Sequence, residues 1–501
     1  MRLAGRPRRA GGVGPGGRVL SAAMRGALDR SVRAFAVVAV AAILAASGAC
    51  SRQPESPTRA PVSVQPSVLL VTLDTTRFDR FGCYGGPARN TPNFDRLARE
   101  GVRFDAAFAQ SALTPPSHAS ILTGLNPPRH GVRVLYAGSG YRLPDDVPTL
   151  ATVLGNKGWD TAAFLGSFAV SEFYGFQRGF KVFDSGVRDP RSFGVTPDGV
   201  WKWNVEVNQR RADATTDLAI DWIGRTGGPF FLWVHYWDPH DDVLVPPADI
   251  LGQFGVPAQP GESRLRALYD AEVHFVDRQF GRLREALARR GLWDQTIVVV
   301  IADHGEGLGD HGWWFHRLLY QEQIRVPFIV RSPGERGAPV VPQVVRSVDI
   351  FPTVLEALGI SHSPVDGQSL AGLMSGKAEP PRFAYADSIN TFDFATRLTR
   401  QRPLDGLLHG VVEWPYKLIH RPRTPDADEL YDLSADPREM SNLFARERSR
   451  AGRLVARLKQ VNGFVDKPFE GEADDREAVE RLRSLGYVGG GSATPPAGDG
   501  R

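Results

Sequence analysis

Ser67-Val-Leu-Leu-Val-Thr-Leu-Asp74 and Thr296-Ile-Val-Val-Val-Ile-Ala-Asp303-His304-Gly305 are two apolar runs that each end in an acid. An unbroken apolar run of this length reads as a strand of a buried parallel sheet, and ligands gather at the carboxyl ends of such strands. Between them in the chain lies Thr114-Pro115-Pro116-Ser117-His118, which reads as a turn. The prolines bias Thr114 toward extended backbone, and Ser117 is placed to cap a following helix. Thr114 then stands near a helix N-terminus, where an anionic phosphate or sulfate group is favoured. Asp74, Asp303 and His304 offer carboxylate and imidazole donors suited to a divalent cation. The glycine-rich stretch that follows adds Glu306, Asp310 and His311, and few structural demands call for so many acids and imidazoles there. A hydroxyl is a weak nucleophile at neutral pH, and a cation or an adjacent base activates it. The pattern points to a metal-assisted nucleophile.

Outward from these runs, strand and helix patterns alternate. Helices are predicted over 93–100, after Ser117, over 149–157, 265–290 and 348–358. Further strands are predicted over 161–164, 230–236 and 327–331. This alternation predicts an α/β sandwich on a mostly parallel central sheet. From about Glu379 short strands appear, over 417–420 and 429–433, followed by a helix over 447–461. They predict a smaller C-terminal α+β subdomain. The expected organisation is a signal segment over 1–49, a flexible linker over 50–67, a catalytic domain over 68–378, the subdomain over 379–489 and a disordered tail over 490–501.

The 501 residues exceed one compact core, and the 42% hydrophobic content is that of a globular protein. A net charge of +4 on so long a chain gives no case for nucleic acid. Two cysteines, Cys50 and Cys83, exclude a disulfide framework and a cysteine-built zinc site. Cys83 reads as a small packed side chain. Translation starts at Met1 or at Met24, with Arg25, Arg30 and Arg33 as a basic region before the apolar stretch 34–46. Ser47-Gly48-Ala49 before Cys50 resembles a bacterial lipoprotein signal, with Cys50 as the lipid-bearing residue. The expectation is export: to the bacterial periplasm or outer membrane as a lipoprotein, or by secretion.

Several motifs together resemble the sulfatase family of the alkaline phosphatase superfamily. They are Asn90-Thr-Pro-Asn-Phe-Asp95, Leu113-Thr-Pro-Pro-Ser-His-Ala-Ser-Ile-Leu-Thr-Gly124, Ile301-Ala-Asp-His-Gly-Glu-Gly-Leu-Gly-Asp-His-Gly312 and Val348-Asp-Ile-Phe-Pro-Thr353. Tyr416-Lys-Leu-Ile419 and Glu429-Leu-Tyr-Asp-Leu433 are similar to that family's smaller subdomain. The resemblance implies an alkaline-phosphatase-like fold and hydrolysis of sulfate or phosphate esters. It implies one divalent metal ion (Ca, Mg, Mn or Zn) on Asp74, Asp303, His304 and Thr114. It places Thr114 at the nucleophile, His118 at the arginine of the nucleophile motif, His240 at a histidine that contacts the ester, and His316 where many sulfatases bind the oxyanion with a lysine.

The departures are specific. The family nucleophile is a Cys or Ser oxidised to formylglycine, whereas threonine carries an extra methyl group and cannot give an aldehyde. No formylglycine is expected, and Thr114 is expected to act unmodified through a covalent intermediate. Thr75 stands where the family has a second aspartate, and 164–168 replaces a lysine-bearing segment. Thr114 to His118 also resembles the unmodified Thr turn of the nucleotide pyrophosphatase/phosphodiesterases, as do Thr123-Gly-Leu-Asn-Pro127 and His130-Gly131. Their two-zinc site needs a wider spacing than Asp238-Pro239-His240, so one metal is expected. Two alternatives stand beside ester hydrolysis: a phosphodiesterase or phosphotransferase acting on envelope headgroups, and a non-catalytic anion- or glycan-binding protein. No protein partner is expected. His235 reads equally as a core histidine or a substrate contact.

Overall fold

The computed structural model describes residues 65–461, apart from 136–139, 189–192, 196–200, 204–207, 241, 335–338 and 392–395. The signal segment, Cys50, most of the linker, residues 462–489 and the tail lie outside the described residues.

Fourteen strands occur among the described residues: β1 (Ser67–Leu73), β2 (Val102–Phe108), β3 (Asp160–Leu165), β4 (Val182–Asp184), β5 (Phe193–Val195), β6 (Trp201–Trp203), β7 (Phe230–Tyr236), β8 (Thr296–Ala302), β9 (Phe328–Arg331), β10 (Val340–Arg346), β11 (Ala384–Ile389), β12 (Leu407–Glu413), β13 (Tyr416–His420) and β14 (Glu429–Asp432). The main sheet has the order β10-β2-β9-β8-β1-β7-β3-β4. Every neighbouring pair is parallel except the two made by β9, which runs against both β2 and β8. The predicted α/β sandwich on a mostly parallel sheet is what the chain forms. β1, β7 and β8 sit at its centre and are buried along their whole length, as their unbroken apolar runs require.

Helices cover the sheet in two groups. The Pro92–Glu100 and Ala212–Arg225 helices pack on the long Glu262–Arg289 helix. The Leu150–Asn156 and Ile350–Ala357 helices pack on the Thr114–Thr123 helix. Thr149 closes a capping box with Thr152, which explains where the Leu150–Asn156 helix begins.

The Thr114 segment differs from its predicted turn. Thr114 is itself the first helical residue, Leu113 is the extended N-cap, and the two prolines fill the next positions. Proline suits a first helical turn, because its missing N–H would have no partner there. Ser117 therefore lies inside the helix and caps nothing. Its hydroxyl donates to the Asp303 carbonyl at 2.6 Å. All ten residues of this helix are buried.

The C-terminal α+β subdomain is the antiparallel sheet β11-β12-β13-β14, with the Arg448–Leu458 helix packed on β12 and β13. It grips the segment just before Thr114. The Asp387 N–H donates to the Gln110 carbonyl at 3.0 Å, and the Ser111 hydroxyl donates to the Asp387 carbonyl at 2.9 Å.

Candidate active site

The register of the three central strands builds the site. Leu73 of β1 pairs with Tyr236 of β7 and with Ala302 of β8. Each chain leaves the sheet at the same level. The Asp74 N–H donates to the Tyr236 carbonyl at 2.9 Å, and the Asp303 N–H to the Leu73 carbonyl at 3.1 Å. Asp74, Asp303 and His304 thus converge, each fully buried, with one donor atom apiece within 4.8 Å of the others.

The two carboxylates are a poor pair without a cation. Burial raises the Asp303 carboxyl well above the usual carboxylate range, and the Asp74 charge adds to it. Asp303 Oδ1 accepts from the Thr75 N–H at 3.1 Å and the His304 N–H at 2.7 Å. Asp303 Oδ2 accepts no hydrogen bond from any described residue. His304 Nδ1 lies 3.0 Å from the Gly305 carbonyl, so it carries the proton and leaves the Nε2 lone pair directed into the cluster. A Cβ on Gly305 would collide with the Glu322 carbonyl, so the loop can turn this tightly only with glycine. Two buried carboxylates, an oxygen without a donor and an imidazole lone pair fit one divalent cation. The donor set leaves its identity open.

Thr114 comes to the same place from β2. Its Oγ1 is 3.2 Å from His304 Nε2. His118 Nδ1 lies 2.9 Å from the Thr114 carbonyl and 3.5 Å from Asp303 Oδ2. The ring therefore braces the first turn of the Thr114–Thr123 helix, and its Nε2 has no hydrogen-bond partner among the described residues. His235 is fully buried, with Nε2 3.3 Å from Asp74 Oδ2 and Nδ1 3.0 Å from the Thr72 hydroxyl. It is a neighbour of the acid cluster, a role its sequence setting did not disclose.

His240 follows β7 and stacks on Trp237 at 5.0 Å. His316 lies in the loop after β8, with Nδ1 2.9 Å from the Ala112 carbonyl and its ring 4.6 Å from His304. The His240 and His316 rings are 5.4 Å apart. Burial pushes His240 down to about 4, with the nearby His235 and Arg317 charges acting the same way. Burial also holds His316 well below its ordinary value, aided by His304, His240 and Arg317. Both imidazoles are neutral at neutral pH in the free protein.

The structure thus brings Thr114, His118, His240, His316, Asp74, Asp303 and His304 to one place. The residue after His316, Arg317, is also buried. Thr75, beside Asp74, has φ 47°, a conformation costly for a β-branched residue.

The sulfatase family model matches residues 66–360, and the model of the N-sulphoglucosamine sulphohydrolase C-terminal region matches 309–462. The chain is 24% identical over 510 aligned residues to an N-acetylglucosamine-6-O-sulfatase of Bacteroides thetaiotaomicron, covering 83% of this chain and 89% of that protein. It is 25% identical to a choline-sulfatase of Rhizobium meliloti, over 77% of this chain and 83% of that one. Among solved structures it is similar to the phosphonate monoester hydrolase of Agrobacterium radiobacter, with a TM-score of 0.61 and 22% identity, covering 79% of this chain and 95% of that one. More than half of the 501 residues fall within the match to the first model, and the chain belongs to the sulfatase family.

Proposed function

We propose that the protein is a metal-dependent hydrolase of sulfate or phosphate esters in which Thr114, unmodified, is the nucleophile. The observation that carries this reading is the Thr114 hydroxyl 3.2 Å from His304 Nε2, the nitrogen whose lone pair the Gly305 carbonyl keeps available. Asp74, Asp303 and His304 would hold one divalent cation, with Thr114 Oγ1 beside it. Such a cation neutralises ester oxygens and lowers the pKa of a neighbouring hydroxyl.

Thr114 Oγ1 loses its proton to solvent and attacks the sulfur or phosphorus in line; the bond to the leaving oxygen breaks as the bond to Oγ1 forms, giving a sulfo- or phospho-threonine. His118 fixes the Thr114 carbonyl and so the direction of the hydroxyl. His240 and His316 face the leaving oxygen. Both are neutral before substrate arrives, and a bound anion raises their affinity for a proton, so that either can protonate the departing oxygen. Water then cleaves the ester to Thr114 and restores the hydroxyl.

The relatives are named for sulfate and for phosphonate esters alike. The deciding experiment is a turnover panel of an aryl sulfate, a phosphate monoester and a phosphate diester, each with Ca, Mg, Mn and Zn. Turnover of at least one ester, abolished by chelation, is expected. A protein that binds a divalent ion and anions yet turns over none of these esters would be a binding protein on this fold. Turnover of the diester with transfer to an alcohol acceptor would make it a phosphotransferase.

We also propose export, from the signal-like segment 1–49 and Cys50. Cys50→Ala is expected to move the protein from the membrane fraction to the soluble one.

A further inference from the structure

His311 lies between His304 and His316 in the loop after β8, and its backbone φ of 51° is left-handed, which a histidine adopts only under constraint. Its ring lies flat on Tyr320, with 3.7 Å between ring centres. Nδ1 is 3.1 Å from Glu322 Oε1, and Nε2 is 3.3 Å from the Glu439 carbonyl. A neutral imidazole has one N–H and one lone pair, so it suits one donor and one acceptor. Here both neighbours accept. A backbone carbonyl has no proton to give, and an imidazole holds a proton more tightly than a carboxylate does. The geometry asks for a ring protonated at both nitrogens. The other charged groups around it are accounted for. Lys417 pairs with the Glu439 carboxylate at 2.7 Å, and Arg402 donates to the His311 carbonyl at 3.0 Å. Asp310 pairs with Arg77 at 2.9 Å and faces Arg438 at 3.7 Å. Burial raises the Tyr320 phenol above its ordinary value, so it carries no charge. Burial of the His311 ring works against its charge, but Glu322 and then Glu439 outweigh this and hold it above its ordinary value.

Glu322 belongs to the segment that backs Asp303 and His304. The Gly305 N–H donates to the Gln323 carbonyl at 2.8 Å, and the Gly305 carbonyl lies 3.0 Å from His304 Nδ1. Loss of the His311 proton would set a lone pair against an acceptor in a mostly buried place, which is destabilising. We propose that His311 is a positioning residue: as an imidazolium it joins Glu322 to the Glu439 carbonyl, fixes the loop from His304 to His316 on the C-terminal subdomain, and lets the loop go when it loses its proton. The docked loop has its full stability below about pH 6.5 and loses it as pH rises through the folded-state midpoint. The consequence for turnover rests on the ester-hydrolase reading; the state of the ring and of the loop does not.

Nuclear magnetic resonance of the full chain with 15N-labelled histidine reads the ring directly, and His311→Gln identifies its signals by their loss. Both ring nitrogens are expected to carry protons at neutral pH, with a midpoint above about 6.5, the ordinary value. Glu322→Gln is expected to lower that midpoint by at least about one pH unit. Amide exchange across residues 305–316, corrected for its intrinsic pH dependence, should rise at least about tenfold as His311 loses its proton, and should show no such rise in His311→Gln. Ester turnover should fall over the same pH window, and the fall should move to lower pH in Glu322→Gln. A midpoint at or below the ordinary value overturns the assignment. So does loop exchange that ignores the His311 titration, or an alkaline fall in turnover that Glu322→Gln leaves in place. A protein that turns over no ester fails the hydrolase reading alone, and the ring and exchange measurements still judge His311.

Discussion

Thr75 carries two facts that pull in opposite directions. By the resemblance to sulfatases it stands where a second aspartate is expected, and it holds a φ of 47° that a β-branched residue adopts only under constraint. Its N–H serves Asp303 Oδ1, and its carbonyl accepts from the Tyr269 hydroxyl at 2.6 Å, so both ends of the peptide are pinned. Aspartate enters the left-handed region more readily than threonine and would add a third carboxylate. Thr75→Asp is therefore expected to tighten divalent-ion binding about tenfold, measured by competition with a chelator. In chelator the same variant should melt lower than the parent, because three buried acids repel without a cation. A lower melting temperature in saturating metal would contradict this. Most site residues were legible singly: Asp74, Asp303 and His304 announce themselves by ending or following apolar runs. The left-handed backbone of Arg317 was not, because Phe315-His-Arg-Leu-Leu319 has no glycine to mark it. Its carbonyl is held by Ser388 and Asn390, about seventy positions away.

The Thr114–Thr123 helix shows what the pattern of an element can and cannot disclose. The helix after Ser117 was expected, but its first turn was not, because Pro115-Pro116 read as a turn. β2 escaped prediction because Arg103 and Asp105 interrupt it, and β10 because Pro342 lies within it. β10 is an edge strand with an irregular register between Val341 and Val344, where proline is tolerated. The Thr114–Thr123 helix is anchored at its far end by His130, whose Nε2 lies 3.0 Å from the Ser120 hydroxyl and whose Nδ1 accepts from the Val132 N–H at 3.1 Å. Burial pushes His130 down to about 3, and the Arg133 charge adds to this. The ordinary value in the unfolded chain is near 6.5. Between these values the unfolded state binds a proton that the folded state refuses, so stability falls as pH falls from about 6.5 toward 3. The loss is about 1.4 kcal/mol for each pH unit in that window. His130→Gln should be less stable at pH 7 but lose less on acidification. Urea midpoints at pH 7 and pH 5 check this, and an equal drop in both proteins would contradict it.

At the scale of the molecule, the C-terminal sheet braces the loops that carry the site. Lys417 of β13 and Glu439 form a fully buried ion pair at 2.7 Å. The second Glu439 oxygen accepts from the Gln321 N–H at 2.6 Å, and His311, stacked on Tyr320, lies 3.3 Å from the Glu439 carbonyl. The loop that carries His316 and Arg317 is thus tied to the C-terminal sheet near both ends. Lys417→Met leaves a buried acid unpaired and should cost about 3–5 kcal/mol. The expected urea midpoint falls accordingly, and Lys417→Met with Glu439→Leu should recover part of it. A Lys417→Met protein as stable as its parent would show that the pair carries no stability. The α/β layering was legible because β1, β7 and β8 are fully buried runs. The docking of the second sheet was not, because it depends on pairs far apart in sequence, such as Ser111 with Asp387. All of these supports converge on one hydroxyl. In the presence of a divalent cation, Thr114→Ala should lose at least about a thousandfold in turnover, whereas Thr114→Ser should keep a substantial part of it. The most direct measurement is mass spectrometry of the peptide containing Thr114 after acid quench during turnover. An unmodified threonine before substrate, and a single sulfo or phospho group on Thr114 after it, is the predicted result. Rapid turnover with Thr114 unlabelled at every quench time, or undiminished in Thr114→Ala, would contradict the role assigned to this residue.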